Sequence, residues 1–418
     1  MRQLTRRRSL THVGGEVETA GNRDVAAALA AALDVAPADP EPGADLDDPD
    51  RVHVHGFHTY PARMHPATAA GLVRALSGEG ATVLDPFCGS GTVLVESMIA
   101  GRRAVGTDLN PIAVRLATLK TTLRRASTPG VASCEELVAA AHEVAAFADE
   151  RRKRRAGATH RYPADDVAAF DPHVLLELDS LRAGIGARAD PGVRDALELV
   201  LSAILVKVSR RASDTSAAAS PRRIAAGFPA RLFARKTEEL GRRLSDFAPL
   251  VPPGTPPARV ALDDATRLHT VAASTVDAVV TSPPYVATYD YLAHHELRMR
   301  WLGLDARAFA AGEMGARRRY AKLDVEGART AWTRELAASL RALSRVCRKG
   351  ARVALVVADS AVQGEALRAD ALVAAVAPGA GFAALARASQ RRPHFHGPTA
   401  RAFESDPRAE HAIALEKR

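Results

Sequence analysis

Apolar positions along the chain fall into two alternating regimes separated by a third. Short apolar runs bounded by turn residues read as buried strands, and each is followed by a stretch with helical spacing. Thr82 to Leu84 form one such run, with a helix over Val93 to Ala100, and Ala104 to Thr107 form a second. From about Thr121 to Pro257 this alternation stops. That region holds long alanine-rich segments of helical character over Cys134 to Arg155, Pro172 to Ala187, Val193 to Arg211 and Pro229 to Phe247. Strand patterning then resumes at Ala258 to Ala265 and Val276 to Thr281. A helix over Ala328 to Val346, a buried strand over Arg352 to Ala358, a helix over Gln363 to Val376 and final strands at Phe382 to Arg387 and His411 to Glu416 follow. Strand–helix alternation on this scale predicts an α/β fold, a doubly wound Rossmann-like sheet with helices on both faces, interrupted by a large helical insertion.

The ends and joints carry less pattern. Residues 1–50 read as a flexible tail and linker with one embedded helix over Asp24 to Leu33, because Pro37 to Asp50 is a run of Pro, Asp, Glu and Gly that cannot bury a core. At 418 residues with 47% hydrophobic content the chain is long enough for two to three domains, or for one domain with an insertion. Its formal charge of +9 rests mostly on arginine, which fits either codon bias or a polyanionic partner. Cys88, Cys134 and Cys347 show no C-x-x-C pairing, so neither a disulfide framework nor a zinc site is expected, and a reducing cytoplasm is the expected setting. No apolar run reaches the length of about 18 residues that a membrane span needs, and Met1 to Arg8 are basic without a following apolar stretch.

Chemistry concentrates at three places. Val83-Leu84-Asp85-Pro86-Phe87-Cys88-Gly89-Ser90-Gly91-Thr92 takes a strand through a tight glycine turn into a helix, the layout of a nucleotide-type cofactor site. Gly89 and Gly91 allow close approach of backbone to ligand, and Cys88 reads as a packing residue. Leu94 occupies the third glycine position of G-x-G-x-x-G, which disfavours a nicotinamide or flavin oxidoreductase. Asp108 falls at the end of the second strand, placed for ribose hydroxyls, with a helix N-cap as the bland alternative. Asp264 and Ala265 follow a strand end in the same way, within reach of an adenine amine. Thr281-Ser282-Pro283-Pro284-Tyr285 breaks a buried strand with two prolines, which puts the break at its carboxyl end on the ligand side. The Ser282 oxygen and the Pro283 carbonyl can accept hydrogens from an exocyclic amine, and Tyr285 can stack on its ring. Beyond it, Tyr289 and Tyr291 read as pocket or stacking residues, and Leu292, Leu297, Trp301 and Leu304 as an apolar helix face.

The third place is Val52 to Pro66, dense in histidine and aromatic residues. Its histidine spacing is a poor match to a metal site, so no metal is expected and a loop closing over the cofactor is preferred. Two basic sets lie in the helical region. One is the block Arg151-Arg152-Lys153-Arg154-Arg155. The other surrounds Ser213 to Ser216 and includes Lys207, Arg210, Arg211, Arg222, Arg223, Arg231, Arg235 and Lys236.

Asp85 to Thr92 together with Thr281 to Tyr285 resembles the amino-methyltransferases that use S-adenosylmethionine to methylate cytosine N4 or adenine N6 in DNA. Tyr60-Pro61-Ala62-Arg63-Met64-His65-Pro66 resembles the family's additional cofactor motif. The resemblance covers roughly 52–120 and 258–360. It implies S-adenosylmethionine bound by Thr59, Arg63, Asp85, Phe87, Gly89, Gly91, Thr92, Asp108, Asp264 and Ala265. It implies catalysis by Ser282, Pro283, Pro284 and Tyr285. Tyr289, Tyr291, Arg210, Arg211, Arg222 and Arg223 are then the candidates for contacting the nucleic acid. The serine form of the catalytic loop is commonest in cytosine-N4 enzymes, whereas the order here, cofactor motif first, is more familiar from adenine enzymes. Methyltransferases of guanine amines in RNA share that order, so DNA is the preferred partner and RNA stays open. A restriction endonuclease is a further expected partner. An inactive methyltransferase fold that binds nucleic acid is the alternative from another class, and the intact Ser282 and proline pair argue against it. The implied division is 1–50 tail and linker, 51–125 cofactor-binding half, 126–257 helical insertion and candidate recognition module, and 258–418 catalytic half.

Overall fold

Eight strands form one sheet, in the order β1-β9-β10-β6-β5-β2-β3-β4. The computed structural model describes residues 15–35, 52–124, 130–215, 223–392 and 397–418. The strands are β1 (Val17–Gly21), β2 (Thr82–Asp85), β3 (Arg103–Asp108), β4 (Arg259–Leu262), β5 (Val276–Thr281), β6 (Cys347–Ala358), β7 (Ser360–Val362), β8 (Glu365–Leu367), β9 (Phe382–Arg391) and β10 (Ala409–Lys417). Strands β4, β3, β2, β5 and β6 run parallel, and β10 pairs antiparallel with both β6 and β9. The chain winds outward from β2 through β3 to β4, then returns to β5 and winds the other way. The reversal lies between β2 and β5, and in an open α/β sheet the crevice at the carboxyl ends of such a pair is where ligands bind. Both motifs read from the sequence leave the sheet there.

The residues of β2 and β5 explain their central position. Val83, Leu84, Ala278, Val279 and Val280 are all fully buried, as expected for strands covered on both faces. Asp277, which a continuous apolar run would not contain, lies at the opposite end of β5 and accepts a hydrogen bond from the Thr82 backbone N–H at 2.8 Å. It fixes the register of β5 against the start of β2.

Two expectations are corrected. Residues 17–33 are not tail. Val17–Gly21 pairs antiparallel with β9 as an edge strand, and the helix Arg23–Leu33 buries Ala26, Leu29, Ala32 and Leu33. The helix is capped by the Asn22 side chain and crosses the helix Pro66–Leu76 so closely that a Cβ on Gly71 would sit 2.8 Å from the Ala32 Cβ. Small residues on both partners permit that approach, and an alanine-rich segment gave no clue to it. The proposed linker over 37–50 lies outside the described residues. The second correction concerns Gln363 to Val376. Its first part is a β7–β8 hairpin turning through Gln363 (φ 50) and Gly364 (φ 85), and only Ala369–Val376 is helical. Positive φ at two successive turn residues matches the twist of a tight hairpin.

The insertion comprises the helices Cys134–Lys153, Ala164–Ala169, Pro172–Gly186, Pro191–Leu205 and Phe228–Phe247. Phe228–Phe247 buries Phe233, Thr237, Leu240, Leu244 and Phe247, a stripe at helical spacing. Its core is continuous with the sheet side, because Leu94, Ile112 and Leu116 share one apolar cluster with Leu137, Val144, Leu197 and Phe233. Polar ties reinforce this joint. Arg115 bonds Asp195 and Glu198 at 2.6 Å each, Arg300 bonds Asp166 at 2.8 Å, and the nearly buried Arg298 pairs with Asp214. No described helix is long and apolar enough to cross a membrane.

Candidate active site

The glycine turn is built by the constraints of its neighbours. Gly89 has φ 50 and Gly91 φ 87, and Gly91 is the N-cap of the helix Thr92–Ile99. A Cβ on Gly91 would lie 3.1 Å from Ala117 and one on Gly89 would lie 3.1 Å from the Tyr60 ring. Glycine is therefore required twice, once by backbone conformation and once by space. Asp108 at the end of β3 accepts hydrogen bonds from the Gly89 N–H and the Asn110 N–H, both at 2.8 Å, so its carboxylate holds the turn as well as facing the cleft. Burial raises its pKa to about 6 against these bonds, which pull it down.

Asp85 does something the sequence did not indicate. It is buried, and its Oδ1 accepts from the Thr281 hydroxyl at 2.6 Å and from the Phe87 N–H at 3.1 Å. Thr281 is the last residue of β5 and precedes Ser282. One carboxylate therefore couples the glycine turn to the proline loop across the switch point. Burial raises the pKa of Asp85 to about 7.

The 52–66 segment covers the turn. The Tyr60 ring lies over Gly89 and packs 4.9 Å from the His295 ring, and its hydroxyl accepts a hydrogen bond from Asn110 Nδ2 at 3.3 Å. Arg63 Nη1 bonds the His55 carbonyl at 2.5 Å. The histidines serve as ties. His55 Nε2 pairs with Glu96 Oε1 at 2.8 Å, His58 Nε2 with Ser202 Oγ at 3.1 Å, and His65 caps the helix Pro66–Leu76. His53, His55 and Glu96 stand close enough to share a metal ion, as do Asp359, Asp370 and His411, and each trio already contains a His–carboxylate bond.

The proline loop is held from three directions. Trp332 Nε1 donates to the Pro284 carbonyl at 3.2 Å, the Tyr285 hydroxyl donates to Glu410 Oε1 on β10 at 3.2 Å, and the Ala287 N–H bonds the Gly315 carbonyl at 3.0 Å. Gly315, at φ 65, is needed because a Cβ there would lie 2.9 Å from the Tyr285 carbonyl. Burial and the Glu410 carboxylate push the Tyr285 phenol pKa upward.

One cleft joins these pieces. It is lined by Arg63, Phe87, Gly89, Thr92, Asp108, Asp264, Ala265, Ser282, Pro284 and Tyr291, all expected from the sequence. Residues 40–119 match the family model described as DNA methylase. That stretch, well under half of the chain, is similar to the S-adenosylmethionine-dependent DNA amino-methyltransferases. Two Type II methyltransferases are similar to it: M.MvaI of Kocuria varians, 41% identical over 71 residues, and M.MjaII of Methanocaldococcus jannaschii, 35% identical over 68 residues. A tRNA (guanine(10)-N2)-dimethyltransferase of Methanothermobacter thermautotrophicus is 45% identical over 62 residues. The matches cover 16%, 16% and 14% of this chain and 16%, 13% and 18% of those relatives' lengths. Among solved structures, the rRNA methyltransferase AviRa of Streptomyces viridochromogenes is 15% identical, covering 89% of this chain and 93% of its own, with a TM-score of 0.32.

The cofactor of such enzymes is S-adenosylmethionine, and the cleft fits it. The glycine turn leaves a cradle that a Cβ would fill, it opens onto a helix N-terminus suited to a carboxylate, and Asp108 and Asp264 offer acceptors at two strand ends. Asp264 Oδ1 already accepts from the Thr266 N–H and hydroxyl at 2.8 and 2.7 Å, which orients the side chain. Several cleft residues were not read from the sequence: Tyr60, Met64, Leu109, Phe309, Glu313 and Met314. Phe309 to Met314 lie more than 20 residues beyond the proline loop, in a region without a motif. Glu313 is fixed by the Tyr291 N–H at 2.6 Å and by Arg318.

Other expected site residues lie elsewhere. Thr59, Asp85, Gly91, Pro283, Tyr285 and Tyr289 do not line the cleft. Asp85 and Gly91 shape it from beneath, and the Tyr285 phenol turns to Glu410. Tyr289 stands 5.6 Å from the Tyr291 ring at its border. Arg210, Arg211 and Arg223 are not at the cleft either, and Arg210 is ion-paired with Asp171 at 2.7 Å. Arg222 lies outside the described residues. Cys88 is buried beside Asp108 and Asp85, which together with burial raise its thiol pKa, as expected of a packing residue.

Proposed function

We propose that this protein transfers a methyl group to an exocyclic amino group of a base in DNA, with cytosine N4 as the acceptor. The observation that carries the reading is the placement of Ser282 and Pro284 in the same cleft as the glycine turn, at the switch point between β2 and β5. The bound cofactor supplies an electrophilic methyl group on a sulfonium. The residues of the chain then present the nucleophile. Among the described residues no donor is bonded to the Pro283 carbonyl, and the Pro284 carbonyl is already taken by Trp332. The Ser282 oxygen and the Pro283 carbonyl accept the two amine hydrogens, which orients the nitrogen lone pair toward the methyl carbon. Held by the glycine turn, Asp108 and Asp264, the cofactor would supply the methyl group to that nitrogen, which would then give up one proton to solvent.

A base within a duplex must first leave the stack, at a cost of a few kcal/mol. Tyr289 and Tyr291, with ring centroids 5.6 Å apart beside the loop, supply an aromatic surface for it. Stacking of this kind contributes about 1–3 kcal/mol per base. The likeness to two Type II methyltransferases and to the DNA methylase family model supports DNA as substrate. The serine in the catalytic loop supports cytosine. Adenine N6 is the nearest variant of the same chemistry. A second reading, a guanine amine in RNA, is favoured by the likeness to the tRNA methyltransferase. Incubation with methyl-labelled S-adenosylmethionine and either duplex DNA or RNA, followed by digestion to nucleosides, separates them. Labelled N4-methylcytosine from DNA is expected. Label in N2-methylguanosine alone supports the RNA reading, and no labelled nucleoside from either polymer refutes both.

A further inference from the structure

The sequence offered two basic sets, and ion pairing compensates most of the first set and Arg210 of the second. In the 151–155 block, Arg152 and Lys153 pair with Asp149 at 2.5 and 2.9 Å, and Arg154 pairs with Glu150 at 2.7 Å. Arg151 is spent on the Gly157 carbonyl and Ser180. Arg210 pairs with Asp171. A cation held by a neighbouring carboxylate has little field left to offer a phosphate, because the pair is close to neutral at a distance.

Lys207, Arg235 and Lys236 of the second set stand with Arg63, Arg242 and Arg243 in a less compensated group. A cleft of about 650 Å³ lies between the 55–63 segment and the helix Phe228–Phe247. Its walls carry Arg63, Lys207, Arg235, Lys236, Arg242 and Arg243 against Glu238 and Glu239, six positive charges against two negative. The two carboxylates are already engaged. Glu239 bonds Lys236 and Arg243, each at 2.8 Å, and Glu238 bonds His142 at 3.0 Å. Among the described residues no carboxylate is ion-paired with Lys207, Arg235 or Arg242, and all three are exposed. Arg235 and Arg242 are seven residues apart on one helix, so they project on the same side about 10.5 Å apart along it. The cleft shares Tyr60 and Arg63 with the cofactor cleft, so the two adjoin at one short segment.

We infer that this second cleft binds the phosphodiester backbone of the nucleic acid whose base is methylated, with Lys207, Arg235 and Arg242 as the phosphate contacts. The inference rests on the proposed function, and it gives the insertion a role: its last long helix holds the strand while the base enters the neighbouring cleft. Binding through phosphates is independent of base sequence and falls with salt, by about 0.9 in the log–log slope for each phosphate contact on a duplex.

The test measures binding of a fluorescent duplex by anisotropy from 50 to 300 mM NaCl for the full chain. Lys207→Gln, Arg235→Gln and Arg242→Gln combined are expected to lower the slope by about 2–3 and to weaken binding at 100 mM at least about tenfold. The affinity for S-adenosylmethionine should be unchanged, which also shows that the variant is folded. Restoring Arg235 and Arg242 as lysines should recover most of the slope. Arg152→Gln with Arg154→Gln should leave the slope as in the unmodified protein. An unchanged slope in the triple variant overturns the assignment while methyl transfer by the unmodified protein upholds the proposed function. Loss of S-adenosylmethionine affinity in the triple variant overturns it too, by placing these cations in the cofactor site. If the unmodified protein binds and methylates neither DNA nor RNA, the proposed function fails and the cleft assignment fails with it.

Discussion

Replacing Asp85 with asparagine keeps the shape of a side chain that joins the two functional loops and removes its charge. In the native protein the carboxylate is buried, 4% exposed, and accepts from Thr281 and Phe87. Burial outweighs those two bonds and raises its pKa from 3.8 to about 7. The folded state therefore holds the proton more tightly than the unfolded chain does. The stability this contributes is fully present below the unfolded pKa and is lost as pH rises through about 7. With 1.36 kcal/mol per pKa unit, the loss between pH 5 and pH 8 is about 2–3 kcal/mol. Asparagine has no such titration, and its amide oxygen can still accept from either donor. Urea unfolding of both proteins at pH 5 and pH 8 measures the difference. Asp85→Asn should gain about 2–3 kcal/mol on the native protein between the two pH values, whatever its offset at pH 5. The same substitution loosens Thr281, the residue before Ser282, so kcat should fall about tenfold, equivalent to roughly one hydrogen bond, with S-adenosylmethionine affinity within about twofold. Parallel stability profiles, differing by less than about 0.5 kcal/mol between pH 5 and pH 8, would refute the claim that Asp85 is a desolvated acid at the joint.

Asp108→Ala removes an acceptor from the Gly89 N–H and from the cofactor cleft, so S-adenosylmethionine affinity measured by calorimetry should fall at least about tenfold, with nucleic-acid binding unchanged. Because the Asp108 carboxylate ionises at about 6 and the ionised form is the better acceptor, native affinity should rise from pH 5 to pH 7, and Asp108→Ala should lose that rise. Gly91→Ala meets both a φ of 87 and contact with Ala117 at 3.1 Å, whereas Gly80→Ala meets a φ of 72 with nothing within 4 Å. Both should destabilise the protein to urea, by about 1 kcal/mol at Gly80 and about 2–3 kcal/mol at Gly91. A smaller effect at Gly91 than at Gly80 would mean that the turn is not crowded.

The local sequence determined whatever depends on short stretches. The apolar runs of β2, β3 and β5 specify buried parallel strands, the prolines after Ser282 end β5 because they cannot extend it, and the glycines after Cys88 mark a turn that excludes Cβ atoms. These features placed Phe87, Gly89, Thr92, Asp108, Ser282 and Pro284 at the cleft. Tertiary structure decided everything that depends on residues far apart in the chain. Asp85 meets Thr281 across 196 positions, so its role as a joint could not be read from the strand that carries it. Tyr285 turned from an expected stacking residue to a partner of Glu410 because β10 inserts beside β6. Phe309 to Met314 reached the cleft through a path with no motif of its own. Residues 17–33 looked like tail because alanine-rich helices show little amphipathic contrast, and only contact with Gly71 and β9 gave them a place in the core. Charge was the least legible of all. Arg152 and Arg242 look alike in sequence, and the difference between them is that Arg152 is paired with Asp149 while Arg242 makes no ion pair among the described residues.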